Sequence, residues 1–522
     1  MTPFDADGSF HPTAGSHELR RLAVRGAAAT FSASGLGLLI QTVSTVVLAR
    51  LLSPSDFGVV TMATTFSLLL VNFGANGITE AIIQFEDIDH KTASNLFWFN
   101  SCAGLVLALS FASAGSLMAS FYQNPLVAKV AVGLSVGIFV QAVSIIHLAL
   151  LMRAMHFTGT SANDVVARIV YASVPIVMAI RGWGYWALVS SIVAQQLSIT
   201  IGAWWLCRWV PGLPGRTGKT RAMLSYAAKV YTQFSVGYAT RNVDNLLVGW
   251  QFNAIVLGFY KKAFDLFALT ASQVTAPLNN VALAALSRLN QDQERFRRSL
   301  SSSLGTVAFV GMGMSADLSL VGREVVRLVL GAKWAESGRI FELFGPGIGA
   351  MLLYSTVGWV HLPIGKPGRW VRWSVSALAI TVSLFLVALH WGPMGVAAAW
   401  SISYWVLLIP AFWYAGRPIG FGASLLIDAV WRYTAAALTA GLIAGAIFRH
   451  LELRQTASTA GGALESICVI SIVFCVLYLA AVVVFHWGLK PLQQFAGLLR
   501  ELAPSRRKVS PLTDQNTVEE LK

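Results

Sequence analysis

Apolar runs long enough to cross a bilayer recur from Ala27 almost to the C-terminus, and this repetition decides the solvent of the chain before anything else about it is read. About 20 helical residues span the roughly 30 Å of hydrocarbon. Runs broken by Gly, Pro and charge predict fourteen helices, near 27–51, 57–84, 95–120, 126–151, 164–181, 184–207, 229–251, 256–285, 303–322, 336–361, 371–391, 394–415, 428–448 and 464–487. No segment between them is long enough to fold alone. Composition agrees: 55% of the 522 residues are hydrophobic and 12% are charged, where soluble domains carry roughly a quarter charged residues. The mean hydropathy is +0.63. The expected fold class is an all-α membrane protein of about 14 transmembrane helices, in two six-helix lobes with two extra helices at the C-terminal end.

Orientation follows from Lys and Arg, which resist translocation. The N-terminus, the even-numbered loops and the C-terminus hold roughly three times as many as the opposite loops. Both termini are therefore expected in the cytoplasm. The formal net charge of +14 is then a topogenic bias, with attraction to anionic membrane lipids, and gives no reason to expect nucleic acid as a partner. The first apolar run follows Arg20, Arg21 and Arg25 and lacks a small-residue cleavage site, so it reads as an uncleaved helix behind a polar tail, 1–26. Cys102, Cys207, Cys468 and Cys475 lie in or beside apolar spans with no metal-ligand spacing, and read as packing residues.

The chain repeats itself weakly at half its length. Phe31-Ser32 opens a helix ending before Asp56-Phe57-Gly58, and Phe234-Ser235 opens another ending before Leu257-Gly258-Phe259-Tyr260. Such repeats mark two-lobed transporters, whose substrate site lies between the lobes. The expected division is an N-terminal lobe 27–207, a basic linker 208–228 rich in Gly and Pro, a C-terminal lobe 229–415, an appended pair 428–487 and a cytoplasmic tail 488–522.

Two motifs invite enzymatic readings and fail them. Gly212 to Thr220 resembles a phosphate-binding loop, but five residues rather than four separate Gly212 from Gly218-Lys219, and no strand precedes it. Asp87-Ile88-Asp89 resembles a metal-binding Asp-x-Asp pair, yet stands on a short loop with no nucleotide-binding domain. No catalytic residues, metal site or cofactor are expected; a proton or sodium gradient is the expected energy source.

Intramembrane charge is more informative, because an ionised group at mid-bilayer costs at least about 2.5–3.5 kcal/mol and so should face a partner or water. Arg241 and Asp244 share a face of the seventh span with Gly237, Asn245 and Val248, either as an ion pair that only fixes packing or as the lining of a hydrated cavity. In the eighth span Lys261 and Lys262 precede Asp265, and a polar line continues through Ser272, Gln273, Asn279 and Asn280 past Pro277. The two lysines either line the cavity or snorkel to the interface. Asp317 is a third intramembrane acid without an evident partner. Gly345-Pro-Gly-Ile-Gly349 permits close helix contact or a break.

A set of segments carries a family resemblance: Leu48-Ala-Arg-Leu-Leu-Ser-Pro-Ser-Asp-Phe-Gly58, Ala81-Ile-Ile-Gln84, Asn95-Leu-Phe-Trp98, Arg241-Asn-Val-Asp-Asn-Leu-Leu-Val-Gly249, Ala285-Leu-Ser-Arg-Leu289, Glu294-Arg-Phe296 and Gly331-Ala-Lys-Trp334. In this order the chain resembles the Wzx-like polysaccharide-export flippases of the multidrug/oligosaccharidyl-lipid/polysaccharide (MOP) superfamily. The resemblance implies a bacterial inner-membrane protein that moves an undecaprenyl-diphosphate-linked oligosaccharide between leaflets for O-antigen, capsule or exopolysaccharide assembly. A polysaccharide polymerase and a chain-length regulator would be its partners. On that reading Arg241, Lys261 and Lys262 attract the diphosphate, and Asp244 or Asp265 couples the cycle to an ion. The alternatives are a peptidoglycan-precursor flippase or a drug/cation antiporter of the same superfamily, and, in another class, a membrane-embedded polysaccharide polymerase or ligase. The last would need a large outer loop, and the longest here, around Gly322 to Glu336, is short.

Overall fold

A computed structural model describes residues 3–5, 7–10, 16–85, 87–215, 218–288, 292–361, 367–450 and 460–502, with side chains given for all but 16–20, 24, 273–288, 367–368, 371, 460 and 498–502. Its helices are α1 (Ser16–Leu51), α2 (Pro54–Ala75), α3 (Ile78–Gln84), α4 (His90–Phe121), α5 (Leu126–Arg153), α6 (Phe157–Ile180), α7 (Tyr185–Cys207), α8 (Gly218–Gln251) and α9 (Ala254–Arg288). They continue as α10 (Gln293–Leu330), α11 (Ala335–Phe344), α12 (Ile348–Ser355), α13 (Gly358–His361), α14 (Pro367–Ala388), α15 (Gly392–Gly416), α16 (Ala423–His450), α17 (Ala460–His486) and α18 (Lys490–Leu502). Taking α2 with α3 and α11 with α12 and α13, the chain crosses fourteen times among the described residues, as its apolar runs require. It is a multi-pass membrane protein.

Eleven stretches are long and apolar enough to cross by composition alone, one of which, Arg372–Ile419, holds most of α14 and all of α15. The two crossings missing from that set are α8 and α9, whose polar residues dilute their apolar character. Helices this polar persist in a bilayer only if the polar face is turned away from acyl chains.

In the first lobe α4 packs on α5, α5 on α7, α6 on α7 and α1, and α2 on α5. The second lobe packs α10 on α11 and α12, and α14 on α15, while α16 and α17 lean on α10 and on each other. Most contact between the lobes comes from α2 against α9 and α8. The second crossing breaks at Asn76-Gly77, where Gly77 takes φ +133°, a conformation that L side chains rarely adopt. Gly345-Pro-Gly347 forms a 3₁₀ turn inside the tenth crossing, and its glycines let that turn approach Ser319 of α10 and Ser401 of α15. The glycine run thus gives both a break and close contact.

Several details differ from the sequence reading. The ninth crossing, α10, extends well beyond 303–322 at both ends. Helix α8 begins at Gly218, so part of the expected linker is helical. The polar N-terminal stretch is partly folded: Phe4 and Phe10 pair through a β-bridge, Phe4 packs edge-on to His90 at 5.5 Å, and the Arg153 guanidinium lies 4.9 Å above the Phe10 ring. Asp317 does have a partner, Ser471 of α17, whose hydroxyl donates at 3.2 Å. The side chains of Gln273, Pro277, Asn279 and Asn280 lie outside those described.

The two enzyme-like motifs meet each other in a structural role. Asp87 pairs with Lys219 at 3.5 Å, and Asp89 caps α4 by accepting from the Thr92 amide at 2.8 Å. The Gly-rich loop is held on α4, with Trp98 Nε1 donating to the Gly212 carbonyl and the Gly212 amide donating to Ser94 Oγ, both at 2.9 Å. The Gly212 and Gly215 amides are thus taken by side chains of α4, Ser94 and Asn95.

Candidate substrate cavity between the lobes

The repeated segments start α2 and α9, and each start is fixed by its own cap. Ser53 and Asp56 form a reciprocal capping box, Ser53 N donating to Asp56 Oδ2 at 2.9 Å and Asp56 N to Ser53 Oγ at 3.2 Å, with Pro54 in the first turn. At the second copy Asn253 Oδ1 accepts from the Val256 amide at 3.0 Å. The glycines that follow face the opposite helix. A Cβ on Gly58 would run into the carbonyl of Ala254, and one on Gly258 into that of Pro54. Each glycine stands four residues after the carbonyl that meets its counterpart, so the two helix starts cross as a local two-fold pair that only glycine allows.

The Gly331-Ala-Lys-Trp334 segment locks the same end of the bundle. Trp334 Nε1 donates to the Ala49 carbonyl at 2.8 Å, and Lys333 Nζ to the carbonyls of Leu52 and Arg50 at 2.6 and 2.9 Å. The Trp334 ring is buried edge-on between Phe57 at 5.6 Å and Phe259 at 5.8 Å. The lobes are joined here at the face away from the chain termini, by carbonyls that α1 leaves unpaired at its end.

Beneath this closure lies a space shared by α1, α2, α5, α6, α7 and α9, formed by two adjoining cavities of ≈ 410 Å³ and ≈ 550 Å³. Both are lined by Gln41, Arg168, Tyr171, Lys261, Lys262 and Asp265. Lys261 Nζ binds Asp265 at 2.7 Å and Lys262 Nζ lies 3.7 Å from the same carboxylate. Lys262, 8% exposed, also sits 4.0 Å above the Phe57 ring, a cation–π contact across the lobe boundary. Neither lysine has snorkelled away. Arg168 faces them from α6 with Asp164 held at 2.8 Å. Three cations against two carboxylates leave the space positive, and Gln195 and Gln196 of α7 add neutral hydrogen-bonding groups.

Arg241 and Asp244 occupy a different place. They line a ≈ 520 Å³ cavity inside the second lobe, walled by α8, α9, α12, α14 and α15 and rich in aromatic rings, among them Tyr238, Phe264, Trp400 and Tyr404. It adjoins the inter-lobe space at Ala268 and Ser272 of α9. Both residues therefore face a cavity, but they do not pair. Arg241 Nε turns back to the Gly237 carbonyl at 3.2 Å, while buried Asp244 accepts from Tyr260 Oη at 2.9 Å and from the Asn245 amide at 2.8 Å. Thus Lys261, Lys262 and Asp265 come together, and Arg241 and Asp244 stand apart from them. The sequence reading missed Asp164, Arg168, Tyr171, Gln195 and Gln196. The signals available were an Asp-to-Arg spacing of four and an adjacent glutamine pair in an apolar span.

Residues 47–339 match the family described as "Polysaccharide biosynthesis protein". The chain is 23% identical over 326 residues to the succinoglycan biosynthesis transport protein ExoT of Rhizobium meliloti, covering 61% of this chain and 64% of that protein. It is 23% identical over 314 residues to the lipopolysaccharide biosynthesis protein WzxC of Escherichia coli, covering 59% and 62%. The matched region therefore spans less than two thirds of the length of these relatives. The teichuronic acid biosynthesis protein TuaB of Bacillus subtilis is 21% identical over 77% of this chain and 84% of its own. Among solved structures, the lipid II flippase MurJ in an inward closed conformation matches at 17% identity and TM-score 0.69, over 89% of this chain and 99% of that one. An inward-facing multidrug-resistance MATE transporter of the MOP superfamily matches at 14% identity and TM-score 0.58, over 75% and 96%. The matched segment takes in both helices of the glycine crossing, the inter-lobe lysines and the Trp334 lock: the chain belongs to the polysaccharide biosynthesis protein family, with the fold of MOP-superfamily transporters.

Proposed function

We propose that the protein is a flippase for an undecaprenyl-diphosphate-linked oligosaccharide, working by alternating access between its two lobes in a bacterial inner membrane with both termini in the cytoplasm. The observation that carries this reading is the inter-lobe space with its excess of positive charge, beneath a closed far face. A sugar diphosphate cannot enter hydrocarbon without replacing its hydration, and lysine and arginine supply charge-assisted hydrogen bonds to phosphate oxygens. On this reading Lys261, Lys262 and Arg168 of the cavity lining receive it, and the glutamines of α7 meet hydroxyl groups. Because α1 and α9 face each other across the second of the adjoining cavities, the polyprenyl tail can remain in lipid while the headgroup is enclosed. A cationic drug would meet the wrong sign of field.

Ion coupling is assigned to Asp244 ahead of Asp265. Asp265 is already clasped by two lysines, whereas among the described residues Asp244 accepts from Tyr260 and Asn245 and keeps lone pairs for a proton or sodium ion. Arg241, three residues away, biases that site and adjoins the headgroup path. A polysaccharide polymerase and a chain-length regulator are natural downstream partners. The test is transfer of a fluorescent polyprenyl-diphosphate oligosaccharide between leaflets of proteoliposomes holding the full chain. Protein-dependent transfer, faster under an imposed proton or sodium gradient, is the expected result; transfer no faster than in empty vesicles overturns the reading.

A further inference from the structure

A second polar cleft, of ≈ 590 Å³, lies on the face that carries the termini, remote from the inter-lobe space. It is framed by α10, α16, the end of α17 and the start of α18. Helix α18 places Leu492 and Phe495 inward, with Phe495 4.9 Å from Phe309, so this short helix lies against the bundle as the floor of the cleft. Arg297, Arg298 and Arg432 project into it with Glu294, Asp428 and His486. Arg298 and Glu294 neutralise each other. Arg297 has its Nε buried without an acceptor, and Arg432 lies 5.6 Å from the Trp431 ring; neither has an ion-pair partner among the described residues. Asp428 is exposed and opposes one of these two charges.

A buried guanidinium nitrogen without an acceptor is costly to leave so, and its natural partner is an oxyanion with several lone pairs. The surroundings say where that oxyanion comes from. Trp431 (46% exposed) precedes the cleft residue Arg432 and Trp487 (93% exposed) follows the cleft residue His486, and exposed tryptophans at the ends of crossings mark the headgroup level of a bilayer. Ile427, 44% exposed, precedes the cleft residue Asp428 and adds exposed apolar surface to α16. We infer that this cleft binds the phosphate of an anionic phospholipid, with Arg297 and Arg432 on the phosphate oxygens, Ser301 and Ser302 within the same cleft, and the acyl chains running outward past Trp431. The site would tie α16, α17 and α18 to α10, and it depends neither on the direction of transport nor on its substrate.

The full-length protein is reconstituted in nanodiscs of mixed phosphatidylglycerol and phosphatidylcholine, and its retained lipids are weighed by native mass spectrometry. Wild type is expected to retain phosphatidylglycerol preferentially, and the Arg297→Gln/Arg432→Gln protein to lose that preference about tenfold. An Arg181→Gln/Arg449→Gln control, altered on the far face, should keep it. Equal retention by the first double variant and wild type overturns the site. Loss of retained phosphatidylglycerol on adding glycerol phosphate in solution also overturns it, since the ligand would then be a soluble phosphate. Should the double variant be poorly folded, Arg432→Gln alone, at a half-exposed position, gives the same reading with a smaller loss, and an unchanged preference in it again rejects the site.

Discussion

Lys262 shows why charge can be kept inside a membrane protein. Its ammonium is shared between Asp265 and the Phe57 ring, so the desolvation cost is offset by two partners on two helices. Replacing it by glutamine leaves the 2.7 Å Lys261–Asp265 pair intact, so Lys262→Gln should insert normally while transfer falls by about tenfold, the loss of one charge-assisted contact to phosphate. Lys261→Gln/Lys262→Gln/Asp265→Asn leaves no unpaired acid behind and should abolish transfer at normal protein level. Asp244→Asn should retain substrate binding and lose the stimulation by an ion gradient, checked in the same vesicles. Outside the membrane, burial pushes the Asp89 carboxyl up, but hydrogen bonds from Thr92 and the nearby Lys219 charge outweigh it, and its pKa lies below the ordinary value. Its capping stabilisation is therefore present at neutral pH and lost as pH falls through that depressed pKa. Asp89→Ala should cost about 1 kcal/mol at pH 7 and less in acid, read from thermal unfolding of the detergent-solubilised protein at the two pH values.

Helices were legible in the sequence through their apolar runs. Those runs located the crossings, α8 and α9 among them, and the polar residues that dilute those two are the property that places them on the cavities. The half-length repeat revealed that Gly58 and Gly258 correspond, but not that each abuts the other copy's backbone, because a repeat specifies likeness and not contact. Helical spacing put Arg241 and Asp244 on one face and left open an ion pair or a shared cavity; both line a cavity, and the pair does not form. The carboxylate is taken instead by Tyr260, sixteen positions on and across a turn, a contact set by how α8 and α9 fold together. Arg168 escaped notice because its charge is balanced locally by Asp164. For the glycine crossing, Gly258→Leu forces a side chain into the Pro54 carbonyl. Overpacking of about 1–3 kcal/mol is enough to shift a two-state closure by tenfold or more, so in this variant a cysteine introduced at Trp183 on the far face should be labelled by a water-soluble maleimide faster than in the same protein with Gly258 kept. Trp334→Ala, which removes the lock, should act in the same direction.

At the scale of the whole molecule, the proposed function makes two lobes joined at one face around a positive space one end state of its transport cycle. The join combines small-residue contact, a few hydrogen bonds from Lys333 and Trp334, and the Trp334 ring buried between Phe57 and Phe259, so opening it must break both polar and apolar contacts. The most direct test is a pair of spin-label distances in a protein lacking its four native cysteines: Trp183 to Ala335 across the far face, and a matching pair across the face of the termini. On adding a lipid-linked oligosaccharide under a driving gradient, the far-face distances should lengthen as the opposite pair shortens, and both should revert when Lys261 and Lys262 are neutralised. Transfer that proceeds with neither distance changing would contradict alternating access through the space between the lobes.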